Sequence, residues 1–311
     1  MITEGAPIYV QCGLRMRSAI ELPLARAEEG PADVEVVWGE DLHDSTAEPP
    51  GAVIATYGAG EATWYTGTRS EDGYRLRFRG CGEVLLNHAL DHVVVRRDPG
   101  GFVELLPILL AGTVASFLLA LRGSTVLHAS AVLIGERVLA FVGDSGQGKT
   151  TLAAVMCSAG ATLVADDVLV VDAGPPAMCL GGASELRLRE KAASVAQTLC
   201  TPAASVTVDG RFAVSPPAAG SVPLHLASII SPRPSRDATT VSSRRLKPVE
   251  AMRTLLACPR VHGWRDASVL QRDFQAIGTV ASSVPVYEAT IPWGPPFDPH
   301  VPARLRDLLD G

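Results

Sequence analysis

The chain changes its hydrophobic rhythm about a third of the way along. Up to residue 100, short β-branched or aromatic runs recur: Ile8-Tyr9-Val10 and residues 34–38, 52–57 and 92–95. Gly13, Gly39, Gly58 and the Asp72-Gly73 pair separate them. Runs of this length between turn formers predict strands. Residues 74–79 alternate cleanly, with Tyr74, Leu76 and Phe78 on one face and Arg75, Arg77 and Arg79 on the other. That alternation predicts a strand whose arginine face is either solvated or turned to an anionic partner.

Residues 105–121 are almost continuously apolar, at the short edge of the roughly 17–25 residues a membrane span needs. The run contains Pro107, Gly112, Thr113 and Ser116 and stands alone, so it is read as a buried helix rather than a span. After it the pattern shifts. Residues 127–134 and 138–142 read as strands joined by a Gly135-Glu136 turn. A glycine-rich loop follows, then a helix over 149–159 stopped by Gly160 and a strand over 162–171. Beyond Gly174 the signals thin. Stretches near Pro202 and Pro216 read as loops, 249–256 as a helix, and 284–291 as a strand that Pro285 keeps near an edge. The expected architecture is α/β: a β-rich region over 1–122 ending in the apolar helix, then a second domain over 123–311.

A formal net charge of −6 argues against a chain built to coat nucleic acid. Cys12, Cys81, Cys157, Cys179, Cys200 and Cys258 are scattered singly, without zinc or redox spacing and without a signal peptide before them. They read as reduced thiols of a cytoplasmic protein.

The chemistry centres on Gly143, Asp144, Ser145, Gly146, Gln147, Gly148, Lys149 and Thr150. The glycines let several amides converge on one anion, and the helix beginning at Lys149 adds the positive end of its dipole. Between a strand and a helix this is a complete phosphate-binding loop for a nucleoside triphosphate, with Thr151 next to it. Lys149 is expected on the β- and γ-phosphates and Thr150 on magnesium. Asp166 and Asp167 end the strand after the loop's helix. One such acid can take a proton from an attacking hydroxyl while the other holds magnesium. Asp166 is assigned here as base, and Asp167 joins Thr150 at the metal. His128, in Leu-His-Ala-Ser-Ala, is either a hydrogen-bonded core histidine or a site residue on a strand beside the loop. Arg187 and Arg189 downstream are either exposed surface arginines or supply one cation that neutralises a transferring phosphate.

His128, the Gly-Asp-Ser-Gly-Gln-Gly-Lys loop and Val164-Ala165-Asp166-Asp167 together resemble the catalytic domain of the HPr serine kinase family. The opening Cys-Gly-Leu-Arg-Met-Arg-Ser, the Leu-Arg-Gly before His128 and Val-Pro-Val-Tyr-Glu near the end are similar to one branch of it, associated with lasso and other ribosomally made peptides. No basic-Gly-Leu-Gly signature follows the acidic pair, and the loop ends Lys-Thr-Thr. Both departures weigh against phosphorolysis and against HPr as acceptor. The resemblance implies a kinase acting on a peptide or metabolite hydroxyl. The reading taken here is ATP- and magnesium-dependent transfer to a serine of a precursor peptide, with no nucleic-acid or membrane partner and homo-oligomerisation left open. A kinase for a small-molecule hydroxyl, or a nucleotide-gated binding protein without transfer, are the alternatives.

Overall fold

A computed structural model describes residues 5–58, 60–192, 205–294 and 296–310. Cys200 and the loop expected near Pro202 lie outside the described residues. The fold is mixed α/β with two nine-stranded sheets. It divides into two units: Met1–Ser124 with Val261–Arg272, and Thr125–Arg260 with Asp273–Gly311. The sequence boundary at 122/123 gives no hint of the returning segment Val261–Arg272.

In the first unit the strand order is Arg26–Ala27, Ile8–Gln11, Leu14–Ser18, Val34–Trp38, His92–Arg97, Gly82–Leu86, Gly73–Phe78, Tyr65–Ser70 and Ala52–Tyr57. Val34–Trp38 pairs in parallel on both sides; the other pairings are antiparallel. The returning segment covers the outer edge of Ala52–Tyr57. Thr56 N donates to Gly263 O at 3.1 Å, and Arg265 N to Ile54 O at 2.7 Å, so the edge is not left as a template for stray pairing.

The arginine face of Gly73–Phe78 is not simply solvated: it finds its anionic partner within the chain. Arg75, Arg77 and Arg96 converge on Glu83, whose side chain is fully buried, at 3.3, 2.5 and 3.2 Å. Cross-strand register places Arg77 and Arg96 opposite Glu83, one from each neighbouring strand. A buried carboxylate persists in a sheet when cations on adjoining strands satisfy it.

The apolar run forms Val103–Leu121, long and apolar enough by length and composition to cross a membrane. Of its most apolar window, 67% is buried within the protein. Phe117 stacks on Trp264 at 5.0 Å, and Ser116 Oγ returns a hydrogen bond to Gly112 O at 2.8 Å. A π-helical stretch, Leu110–Val114, interrupts the run.

In the second unit the sheet order is Thr125–Leu127, Leu169–Asp172, Met178–Leu180, Leu224–Ser235, Arg137–Val142, Ala129–Ile134 and Thr162–Ala165. Val286–Pro292 lies between Leu224–Ser235 and Ser242–Arg245. That corrects its expected edge position: Pro285 precedes the strand rather than interrupting it. Period-2 alternation along Arg137–Val142 splits its residues between two cores. Leu139 and Phe141 face helices Lys149–Ser158 and Val301–Arg306. Val138, Ala140 and Val142 face Pro248–Leu256 and the part of Ala267–Ser283 that belongs to this unit. A small sheet of Leu186–Leu188, Phe212–Val214 and Ser205–Val206 packs on the first of these cores.

Two strands expected to be continuous are broken. The stretch 127–134 divides at His128, and 162–171 divides over residues 166–168. Asp167 adopts φ +82°, a left-handed conformation uncommon outside glycine. His128 N turns instead to Cys258 O, at 2.9 Å. The two breaks bring His128 and Asp167 together.

Candidate active site

The loop over 143–150 connects the Arg137–Val142 strand to the Lys149–Ser158 helix, and Gly148 is the helix N-cap at φ +84°. Inside the loop Gln147 Oε1 accepts the amide of Asp144 at 3.1 Å. Lys149 is 6% exposed, and its Nζ donates to the carbonyls of Gly143 at 2.7 Å and Asp144 at 3.1 Å. Burial pushes the Lys149 ammonium below its ordinary pKa, against the pull of Asp167, Asp166 and Asp144. A cation held this way in a dry cradle is strongly attracted to phosphate. Thr150 and Thr151 follow in the first helical turn.

The acidic pair splits into two environments. Asp166 Oδ1 accepts the hydroxyls of Thr150 and Ser130, each at 2.8 Å, and Oδ2 accepts the amide of Arg187 at 3.2 Å. Burial pushes its carboxyl above the usual range, while the hydrogen bonds from Ser130 and Thr150 pull it back. Asp167 instead meets basic side chains. His128 Nε2 lies 3.3 Å from its Oδ1, and Arg260 Nη2 and Arg187 Nη2 lie 2.7 and 3.9 Å from its Oδ2. Burial would raise Asp167, but Arg260, His128 and Arg187 overcome it and hold the carboxyl at about 2.

Thr150 therefore pairs with Asp166, whereas sequence reasoning set it beside Asp167. The two arginines also separate. Arg189 Nη2 donates to Ser145 Oγ at 3.0 Å, over the loop. Arg187 spans Asp167 and Asp209, whose Oδ2 is 3.9 Å from its Nη1.

Sequence reasoning missed Ser130 and Arg260. Ser130 had a signal: it stands two residues after His128 in the run read as one strand, a spacing that predicts a shared face. Arg260 had none. It arrives on a segment whose bridge from Pro259 to Leu127 and bond from Arg260 N to Val126 O at 3.1 Å lay it along Thr125–Leu127.

Among the described residues no group of three His, Cys, Asp or Glu side chains gathers as a metal cage. Thr150 with Asp166 is instead the kind of sparse oxygen pair that suits magnesium shared with phosphates.

No protein-family profile and no curated protein matches this chain. A solved structure of the Hpr(Ser) kinase/phosphatase from Coxiella burnetii is similar over 60% of this chain and 93% of its own, at 12% identity and a TM-score of 0.30. A likeness this low leaves the functional reading to the geometry of the site.

Proposed function

We propose that this chain is an ATP-dependent phosphotransferase of the HPr kinase type, moving a γ-phosphoryl group to a serine hydroxyl of a ribosomally made precursor peptide. One observation carries the reading: the Thr150 hydroxyl meets Asp166 at 2.8 Å directly behind a loop headed by buried Lys149. A hydroxyl and a carboxylate meeting beside a phosphate cradle are the ligands a phosphate-bound magnesium ion uses. The cradle fits the nucleotide, and the oxygen pair fits the ion. When bound, magnesium ATP supplies the phosphoryl group and offsets its charge.

The chain's residues supply position and a proton acceptor. Lys149 and the loop amides hold the phosphates, and Arg189, over Ser145, faces the same mouth. Asp166 serves the metal with Thr150. Asp167 accepts a hydrogen bond from the acceptor hydroxyl and takes its proton late, once the forming bond from oxygen to phosphorus has acidified it and the bond to the β–γ bridging oxygen breaks. His128, Arg187 and Arg260 keep it ionised and aimed. These roles exchange the two assigned from sequence. The peptide acceptor rests on the sequence likeness to the peptide-associated branch, and a cytoplasmic setting goes with it.

The test compares Asp166→Asn and Asp167→Asn. Asp166→Asn should raise the magnesium concentration needed for nucleotide binding. Asp167→Asn should keep magnesium ATP binding and lose transfer by about 10²–10⁴. The reverse pattern restores the original assignment, and full transfer by both variants defeats the mechanism.

A further inference from the structure

Trp293 directly follows the Val286–Pro292 strand, and its amide donates to Ser235 O at 2.9 Å. The benzo edge of its indole abuts the loop. A Cβ built on Gly148 would lie 2.2, 2.8 and 2.9 Å from Trp293 Cη2, Cζ2 and Cζ3. Only glycine lets the ring come so near, at a position whose φ of +84° also favours glycine. Phe297 meets the indole edge-on, with ring centroids 5.2 Å apart and planes at 82°. Both rings are partly buried against the core beneath the loop's own helix and leave part of their surface open.

The phosphate cradle, the acid pair and the arginines make no use of these rings. A nucleoside triphosphate anchored at 143–150 must carry its ribose and base outward past the rim of the loop. An aromatic ring that touches Gly148, one residue before Lys149, and keeps part of its surface open borders the loop itself. We infer that Trp293, braced by Phe297, is the stacking platform for the nucleobase; this rests on the nucleotide-binding reading of the loop. Every base has a π-face, so stacking of this kind tolerates the identity of the base. ATP and GTP should therefore bind within a few-fold of each other.

The experiment measures binding of ATP, GTP and inorganic tripolyphosphate, each with magnesium, by calorimetry to wild type, Trp293→Leu and Trp293→Phe. Trp293→Leu should weaken both nucleotides about tenfold (about 1.4 kcal/mol) and leave tripolyphosphate unchanged. Trp293→Phe keeps a ring and should retain most of the affinity. ATP should quench tryptophan fluorescence in wild type and quench it less in that variant, where Trp38, Trp64 and Trp264 still emit. Equal losses for nucleotide and tripolyphosphate would make Trp293 a mere support of the loop and overturn the inference. So would unchanged nucleotide affinity in Trp293→Leu. Wild type that binds tripolyphosphate but gains nothing from a base would overturn the platform alone, whereas wild type that binds neither overturns the nucleotide reading itself.

Discussion

Replacing Asp167 by asparagine removes the negative charge shared by His128, Arg187 and Arg260. Its carboxyl is held at about 2 against an ordinary value of 3.8. At about 1.4 kcal/mol per pK unit, that shift corresponds to about 2 kcal/mol of folding stability at pH 7. The sign follows from the direction. A depressed carboxyl contributes fully above the unfolded value of 3.8 and loses its contribution as pH falls through about 2. Asp167→Asn should therefore lower unfolding free energy by about 2 kcal/mol at pH 7, read by urea denaturation, with about half of that gap left near pH 3. Asp166→Asn provides the contrast. Burial makes the ionised form of Asp166 costly, so a neutral amide there relieves a penalty while losing the bond from the Arg187 amide. Its effect should stay within about 1 kcal/mol. Equal stability of Asp167→Asn and wild type at pH 7, or a gap that does not change toward pH 3, would refute the ion-pair account of Asp167.

Lys149→Ala should abolish transfer and weaken triphosphate binding with the fold retained, checked by calorimetry and circular dichroism; undiminished transfer by the folded variant removes Lys149 from the mechanism. Gly181→Ala should cost about 1–3 kcal/mol by overpacking, because its Cβ would fall 1.8 Å from the carbonyl of Val164 on the strand that leads to the acid pair; a melting temperature equal to wild type would show that the strand can yield there. The protein should remain in the supernatant without detergent, since the apolar helix Val103–Leu121 is largely buried within the chain. Recovery only in detergent would make that helix a membrane anchor.

The loop at 143–150 could be read from sequence because its chemistry is local: glycines, one lysine and one threonine in fixed order between a strand and a helix. The strand breaks at His128 and Asp167 could not. Apolar residues continue on both sides of each, and one of the two breaks hydrogen-bonds to Cys258, which is distant in sequence. Arg260 was hidden for the same reason. The long strand Leu224–Ser235 was obscured by Pro232 and Pro234, which usually argue against a central strand. They are tolerated because pairing with Arg137–Val142 ends at Ile230, leaving that side of the strand without a ladder partner from it. Helix Ala267–Ser283 lacks a legible apolar stripe, because Leu270 and Phe274 put large apolar residues on its exposed side and Gly278 interrupts the buried one. The Gly73–Phe78 alternation gave the strand correctly but not the fate of its arginines, since Glu83 reaches them from the neighbouring strand.

The most direct test of phosphoryl transfer is mass spectrometry of candidate precursor peptides, beside a panel of small alcohols, after incubation with the protein, ATP and magnesium. The account predicts that one phosphate is added to a serine at or near the peptide's C-terminus and that replacing this serine by alanine removes the added mass. A peptide that gains no phosphate while a sugar or other small alcohol does would contradict the peptide assignment, and the absence of phosphate on any hydroxyl would contradict the phosphotransferase reading itself.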